Sequence, residues 1–217
     1  MLAGCNGAGK SSIGGAALRA SGAAYFNPDE AARSILDANA RRGAPMPREQ
    51  ANAAAWSEGR RLLERAIRER LDFAFETTLG GNTITELLLQ AAREQHPVHV
   101  WFAGLETVEL HLERVRQRVA HGGHDIPEAK VRERYARGRE NLIRLLPYLA
   151  SARIYDNSAE ADPSTGAAPN PVLLVAMVRG RIVHPSKLRS LLVRTPNWAK
   201  PIVTAALRLH MQNRPRG

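Results

Sequence analysis

At 217 residues and 44% hydrophobic content, the chain is long enough for one domain with a sizeable core and at most a small appendage. No run approaches the ~18 uninterrupted apolar residues of a membrane span, and the first residues lack a secretory leader's basic start and apolar stretch. A single cysteine, Cys5, excludes an internal disulfide framework and fits a reducing cytoplasm. The formal charge of +10 points to anionic partners, either nucleic acid or a nucleotide with a phosphorylated substrate. The excess is spread along the chain without a long basic tract, so an arginine-rich composition explains much of it.

In chain order, the first feature is Gly4-Cys5-Asn6-Gly7-Ala8-Gly9-Lys10-Ser11-Ser12, which fits the G-x-x-x-x-G-K-[ST] phosphate loop. Such a loop turns backbone N–H groups inward, and the helix behind it adds partial positive charge. In this pattern Asn6, Gly7, Ala8, Gly9, Lys10, Ser11 and Ser12 bind the nucleotide. Lys10 reaches the β- and γ-phosphates, and the Ser11 hydroxyl is the Mg²⁺ ligand. The chain has four lysines against 27 arginines, and Lys10 is the only lysine before Lys130. A compact point charge stands where a phosphate binder wants one. Cys5 reads as a loop position of little chemical consequence. Only Met1-Leu2-Ala3 precede the loop, whereas a central strand usually needs about five residues. Either the strand is very short or the true start lies upstream. If Met1 is the start, the loop would be poorly anchored and the protein a weak or inactive relative.

A helix is expected over Lys10–Ala20, ending at the Ser21-Gly22 turn. Ala23–Phe26 reads as a strand, closed by Asn27-Pro28-Asp29, with Pro28 starting a helix that runs to Asp37. Arg48–Arg70 is a long helix with Trp56, Leu63 and Ile67 on one face. Leu71–Phe75 is a strand ending at Glu76-Thr77-Thr78. A helix over Thr83–Glu94, a strand over Val98–Phe102 and a helix over Glu106–Ala120 follow. Gly122-Gly123-His124-Asp125-Ile126-Pro127 is a loop, Glu128–Leu146 a helix, and Ala152–Tyr155 a strand followed by Asp156-Asn157-Ser158. Residues 159–171 read as a linker. Val172–Val178 and Arg181–His184 form a hairpin, and Ser186–Leu192 and Trp198–Leu209 are helical.

Strands alternating with helices imply an α/β fold with a parallel sheet covered on both faces. In such sheets the site lies at the carboxyl ends of the strands. The phosphate loop, Asn27-Pro28-Asp29, Glu76-Thr77-Thr78 and Asp156-Asn157-Ser158 therefore share one edge, and acids with hydroxyls facing a nucleotide suit phosphoryl transfer. Asp29 could accept the attacking hydroxyl's proton, although a first-turn carboxylate stabilised by the helix dipole reads equally well. Glu76 could be a metal-ligand acid in the manner of a Walker B strand, and Thr77 and Thr78 could cap the next helix. Asp156 reads as a turn residue. Arg114, Arg116, Arg118, Arg132, Arg134, Arg137 and Arg139 lie on two helices joined by a glycine hinge. They make a lid that would neutralise transition-state charge, or singly a solvated basic face. His124 has no second metal ligand at useful spacing and reads as a hydrogen-bonding loop residue.

These segments together resemble the zeta-toxin-like family of P-loop kinases. The resemblance runs from Ala3 through the phosphate loop, Asn27-Pro28-Asp29-Glu30, Phe73-Ala74-Phe75-Glu76-Thr77-Thr78-Leu79, Arg114-Val115 with Arg118-Val119, the loop Gly122–Pro127 and Tyr155-Asp156-Asn157-Ser158. It implies a nucleotide-kinase core over residues 1–158, with the lid at about 106–146 and an extension over 172–217. Characterised zeta toxins phosphorylate the 3′-hydroxyl of UDP-N-acetylglucosamine with ATP or GTP. Carried over by position, Asp29 is the base, Asn27, Glu76, Thr77 and Thr78 hold the acceptor, and Arg118 and Arg134 grip the phosphates. The expectation is thus a cytoplasmic, Mg²⁺-requiring ATP or GTP phosphotransferase acting on a sugar nucleotide or other small acceptor. The family also admits an antitoxin partner, while membrane and nucleic acid are not expected. The alternative is a nucleotide- or RNA-binding P-loop ATPase with weak or no kinase activity. A transporter-type ATPase lacks support, since no Leu-Ser-Gly-Gly-Gln signature occurs and no second acid follows Glu76.

Overall fold

A seven-stranded sheet in the order β2-β3-β1-β4-β5-β6-β7 runs through the molecule. The structure, a computed structural model, describes residues 1–15, 24–159 and 170–213, without the side chains of Ser11, Ser12 and Ala24. The strands are β1 (Leu2–Ala3), β2 (Ala24–Phe26), β3 (Phe73–Thr77), β4 (His99–Gly104), β5 (Ser151–Asp156), β6 (Val172–Val178) and β7 (Arg181–His184). The first five in spatial order pair in parallel, and β6 and β7 add antiparallel strands beyond β5. Parallel pairing puts the ends of β1 to β5 on one edge, as the alternating pattern predicts.

The central strand, β1, has two residues in this sequence. Leu2 aligns with Glu76 on one side and Trp101 on the other, and Ala3 with Thr77 and Phe102. Its ladder continues past the strand, because the Trp101 amide donates to the Met1 carbonyl (3.0 Å) and the Gly4 amide to the Thr77 carbonyl (3.2 Å). Leu2 and Ala3 are fully buried, so two residues held from both sides anchor the loop that follows. That loop leads into a wide helical turn of π type, Ser11–Gly15. The rest of the expected first helix, and the Ser21-Gly22 turn, lie outside the described residues, as do residues 160–169 of the expected linker.

The crossovers form for local reasons. Helix Pro28–Arg41 begins where the Asn27 Oδ1 accepts from the Asp29 and Glu30 amides at 2.9 and 3.3 Å, with Pro28 in the first turn. Helix Arg48–Glu69 carries exposed pairs Arg60–Glu64 and Arg65–Glu69 on its outer face. It ends at Arg70, in the left-handed region (φ 54°), with the Leu71 amide bonded to the Ala66 carbonyl (2.9 Å). That cap uses Leu71, so β3 starts at Phe73, later than expected, and Glu76 and Thr77 become its last residues.

The long helix also corrects the expected face. Leu63 and Ile67 are buried but Trp56 is 45% exposed. The N-terminal half turns Ala51 and Ala55 inward, where they pack with Ala32 of helix Pro28–Arg41. Trp56, next to Ala55, therefore points elsewhere.

Helices Asn82–Arg93, Val108–Ala120 and Glu128–Leu145 complete the layers. The expected helix at Ser186 is only Leu191–Arg194, stopped where Pro196 holds Thr195 extended. The last helix is Lys200–Gln212, preceded by a 3₁₀ turn at Asn197–Ala199. Trp198, Ile202, Val203 and Ala206 join the same core as Val100, Phe102 and Ile154, so residues 172–212 pack as part of this body. No helix among the described residues is long and apolar enough to cross a membrane.

Candidate active site

A cavity of about 580 Å³ opens at the carboxyl edge of the parallel strands. It is lined by Asn6 and Lys10 from the phosphate loop, Asn27 and Asp29 after β2, Glu76, Thr77 and Thr78 from β3, and Arg134 from helix Glu128–Leu145. Eight residues singled out in the sequence thus share one chamber.

The phosphate loop is held from behind. Gly4 has φ +141°, and a Cβ there would lie 2.3 Å from the Ala103 carbonyl oxygen. Gly9 has φ +76°, and a Cβ there would lie 2.2 Å from the Asn157 Nδ2. Only glycine allows both approaches. Asn157, buried just past β5, donates from Nδ2 to the Ala8 carbonyl at 3.0 Å. The Asn6 carbonyl meets the His111 Nδ1 at 2.7 Å, and the Asn6 Oδ1 accepts from the Arg134 Nη1 at 2.9 Å. Burial pushes the His111 imidazole down to about 4, so it is neutral near pH 7 and donates from Nδ1 to that carbonyl. The Lys10 Nζ donates to the Gly4 carbonyl at 3.1 Å, folded back onto the loop whose ligand it would grip. Cys5 is buried, donates to the Val131 carbonyl (3.4 Å), and burial pushes its thiol up to about 11, so it is no nucleophile near neutral pH.

A further set of contacts reaches this loop from the C-terminal segment. The Trp198 Nε1 donates to the Asp156 Oδ1 at 3.0 Å, which also accepts from the Ser158 Oγ at 2.5 Å. The Ser158 Oγ in turn accepts from the Glu106 amide at 2.8 Å. Asn157 stands between Asp156 and Ser158, so its backbone is fixed on either side.

Asp29 lines the same cavity, with its side chain 49% exposed. The Arg118 Nη1 and the His124 Nε2 each lie 3.7 Å from its carboxylate. The Arg118 Nη2 also donates to the His124 carbonyl at 3.3 Å, so helix Val108–Ala120 and the Gly122–Pro127 loop meet beside this acid. Burial lowers the His124 pKa, with Arg118, Arg48 and Arg33 adding to the effect and Asp29 opposing it. Arg118 is not among the cavity-lining residues; it is brought to Asp29. Of the seven arginines grouped on the lid helices, Arg134 alone lines the cavity among the described residues. Arg132 pairs with Glu109 and Glu128, Arg137 with Glu133, and Arg139 stacks 4.0 Å over the Tyr135 ring.

Glu76 is buried and accepts a hydrogen bond from the Tyr25 hydroxyl. The Thr77 Oγ1 accepts from the Leu79 amide (3.0 Å) and the Thr78 Oγ1 from the Gly80 amide (3.4 Å), so both hydroxyls shape the turn after β3. The Asn27 Oδ1 is likewise engaged as a helix cap. Mg²⁺ is usually held by one or two side chains plus substrate phosphates rather than by a full protein cage. The Glu76 carboxylate, lining the same cavity as Lys10, fits that donor set, and no cluster of three His, Cys, Asp or Glu suited to a metal occurs among the described residues. The side chain of Ser11, the expected ligand, falls outside the description.

Sequence reading missed the contacts of His111 and Trp198, put Trp56 on the apolar face with Leu63, and placed Asn157 on the site edge without a role. Asn157 carried a signal, since it follows a strand on the site edge. Trp56 carried one too, lying at helical spacing from Arg48, Asn52 and Arg60 rather than only from Leu63.

The family model described as "Zeta toxin" matches residues 1–162. A protein of Haemophilus influenzae described as uncharacterized is 32% identical over 134 residues, covering 61% of this chain and 88% of that protein. Among solved structures, the complex AvrRxo1-ORF1:-ORF2 with ATP is 18% identical with a TM-score of 0.64, over 94% of this chain. The chain spans 62% of that structure's length. The same complex with sulphate ions gives 18% identity and a TM-score of 0.62, over 96% of this chain and 75% of that one. These likenesses establish the fold.

Proposed function

The chain belongs to the zeta-toxin family, and from that membership and a P-loop kinase fold we propose that it is an ATP- or GTP-dependent phosphotransferase acting on a sugar nucleotide, with UDP-N-acetylglucosamine the leading acceptor. The observation that carries this reading is the shared cavity, in which Lys10, Asp29, Glu76 and Arg134 face one space from four separate elements. The acceptor hydroxyl gives its proton to the Asp29 carboxylate as its oxygen bonds to the γ-phosphorus. The bond from that phosphorus to the β–γ bridging oxygen breaks, and the nucleoside diphosphate leaves. Lys10 and Arg134 stabilise the charge spread over the transferring group. Ser11 and Glu76 would hold Mg²⁺, which when bound neutralises the β- and γ-phosphates. The AvrRxo1 structure contains ATP and a partner protein, ORF2; an ATP donor and an antitoxin-like partner are proposals for this chain. The cytoplasm is the proposed location.

The test is purified protein with Mg²⁺ and γ-labelled ATP, with and without UDP-N-acetylglucosamine. Label on the sugar nucleotide is the expected result. Binding of ATP without transfer to this acceptor would rule it out and leave the phosphate site standing. Asp29→Ala should abolish transfer and spare ATP binding; full retention of transfer removes Asp29 from the chemistry.

A further inference from the structure

One wall of the cavity is a stripe of helix Arg48–Glu69. Arg48, Asn52, Trp56, Gly59 and Arg60 recur at spacings of three and four, and all line the chamber. Trp56 is the largest of them. An indole turned 45% to solvent is ordinary on a surface, but here it faces a concave space together with Phe26 and Phe75. Gly59 brings this wall close to β2, because a Cβ there would lie 2.6 Å from the Phe26 Cε1. This helix packs through Ala51 and Ala55 on Ala32 of helix Pro28–Arg41, which carries Asp29 in its first turn, whereas the donor is assigned to the phosphate loop in the kinase reading. Arg48 forms no ion pair among the described residues, while Arg60 is bonded to Glu64 at 2.7 Å.

We propose that Trp56 is a specificity-determining residue for the acceptor. It offers its face to a planar unsaturated ring, a nucleobase, while Arg48 takes the charge of the phosphate attached to that nucleoside. A base has a π-face that stacks on indole at low entropic cost, and stacking of this kind typically changes affinity by about tenfold to a hundredfold. This assignment rests on the kinase reading for the word acceptor, but the binding itself can be measured without turnover.

The experiment is isothermal titration of the full chain, its donor site first saturated with the non-hydrolysable analogue β,γ-imido-ATP and Mg²⁺. UDP-N-acetylglucosamine, UDP, and the base-free N-acetylglucosamine 1-phosphate are the titrants. Trp56→Ala should weaken the two uridine ligands at least tenfold and leave the base-free ligand unchanged. Trp56→Phe should stay within about threefold of wild type, since a smaller ring still stacks. The affinity for β,γ-imido-ATP should be the same in all three proteins. Trp56 is exposed on a helix surface, so an unchanged melting temperature is expected and checks the fold. Equal uridine affinity in Trp56→Ala and wild type overturns the inference, as does equal weakening of the base-free ligand, or loss confined to β,γ-imido-ATP. If wild type ignores uridine, the diphosphates of cytidine, adenosine and guanosine are titrated in turn; binding of none overturns it. Trp56-dependent binding of UDP-N-acetylglucosamine without label transfer would rule it out as the phosphoryl acceptor and leave the base-stacking role of Trp56 standing.

Discussion

At the loop end of the cavity the polar groups already have partners. Asn6 is held by Arg134 and His111, Ala8 by Asn157, and Lys10 by the Gly4 carbonyl. Around Asp29 the carboxylate stands half exposed, with the Arg118 guanidinium and the His124 imidazole each at 3.7 Å, beyond hydrogen-bond reach, and the Trp56 ring faces open space. A triphosphate presents the same oxygens to every kinase, so donors fixed in advance cost no reorganisation when charge develops. An acceptor differs from enzyme to enzyme, and the groups that meet it tighten only when it is bound and the lid closes. On the proposed function, constant chemistry falls to the pre-bonded, rigid end and selectivity to the exposed, loose one.

The largest expected effect breaks the loose end. Asp29→Asn keeps the shape and removes the base, and should lower kcat about 10²- to 10⁴-fold while the KM for ATP holds. Steady-state kinetics with both substrates varied decide it, and a tenfold rise in the KM for ATP with kcat intact would assign Asp29 to the donor instead. Next comes Arg134→Ala at the rigid end, with a loss of roughly 10²-fold or more in kcat. Arg134→Lys should recover only part of it, since lysine cannot both hold the Asn6 Oδ1 and present a second donor in a fixed fork. Full activity in Arg134→Lys would reduce the arginine to a point charge.

How much of this was legible in the sequence differs between the two ends. The fold and the phosphate loop could be read because each rests on local pattern: alternating strands and helices, glycine spacing, and Asn27-Pro28 as a helix start. Asp29 and Glu76 could be grouped because parallel topology sends every strand end to one edge; Arg134 was placed with them by resemblance. Their supports could not. His111 reaches the loop from a helix over a hundred residues away, and Trp198 reaches Asp156 across 42 positions, through contacts that no spacing rule encodes. Trp56 misled for a physical reason. Its seven-residue spacing to Leu63 suits a buried face, yet Ala51 and Ala55 take that face because only small side chains let two helices approach so closely. Arg118 was placed on the phosphates by resemblance, whereas here it sits beside Asp29.

A smaller effect sharpens the rigid end through pH. His111 titrates at about 4 when folded because burial opposes its charge, with Lys10, Arg114 and Arg139 adding to this and the Asn6 carbonyl opposing it. Unfolded, it returns to about 6.5. Its folded pKa is depressed, so below 6.5 the unfolded chain binds the extra proton and stability falls as pH drops toward 4. Between pH 7 and pH 4.5 this amounts to about 2–3 kcal/mol. His111→Asn keeps an N–H for the Asn6 carbonyl and removes the titration. Urea midpoints at the two pH values should therefore differ less in the variant than in wild type. Equal differences would mean that folding leaves the His111 pKa near its ordinary value, so that it takes up its proton in the folded protein at pH 4.5.

The smallest effect tests whether the rigid end is rigid for the sake of the donor. Asn157→Ala removes the Nδ2 donor to the Ala8 carbonyl and should cost about 1–2 kcal/mol of stability. If that bond only holds the fold, kinetics at a temperature where the variant is fully folded will match wild type. If it holds the loop in its phosphate-binding shape, the KM for ATP should rise several-fold while kcat and the acceptor KM stay put. Asn157→Ser, too short to reach the carbonyl in the same way, should resemble Ala. The same rise from Trp198→Phe, which loses the hydrogen bond to Asp156 but keeps the ring in the core, would carry the support one step further out. The extension after β5 would then be part of the donor site's scaffold, and the selectivity of the Trp56 end would be free to change without disturbing it.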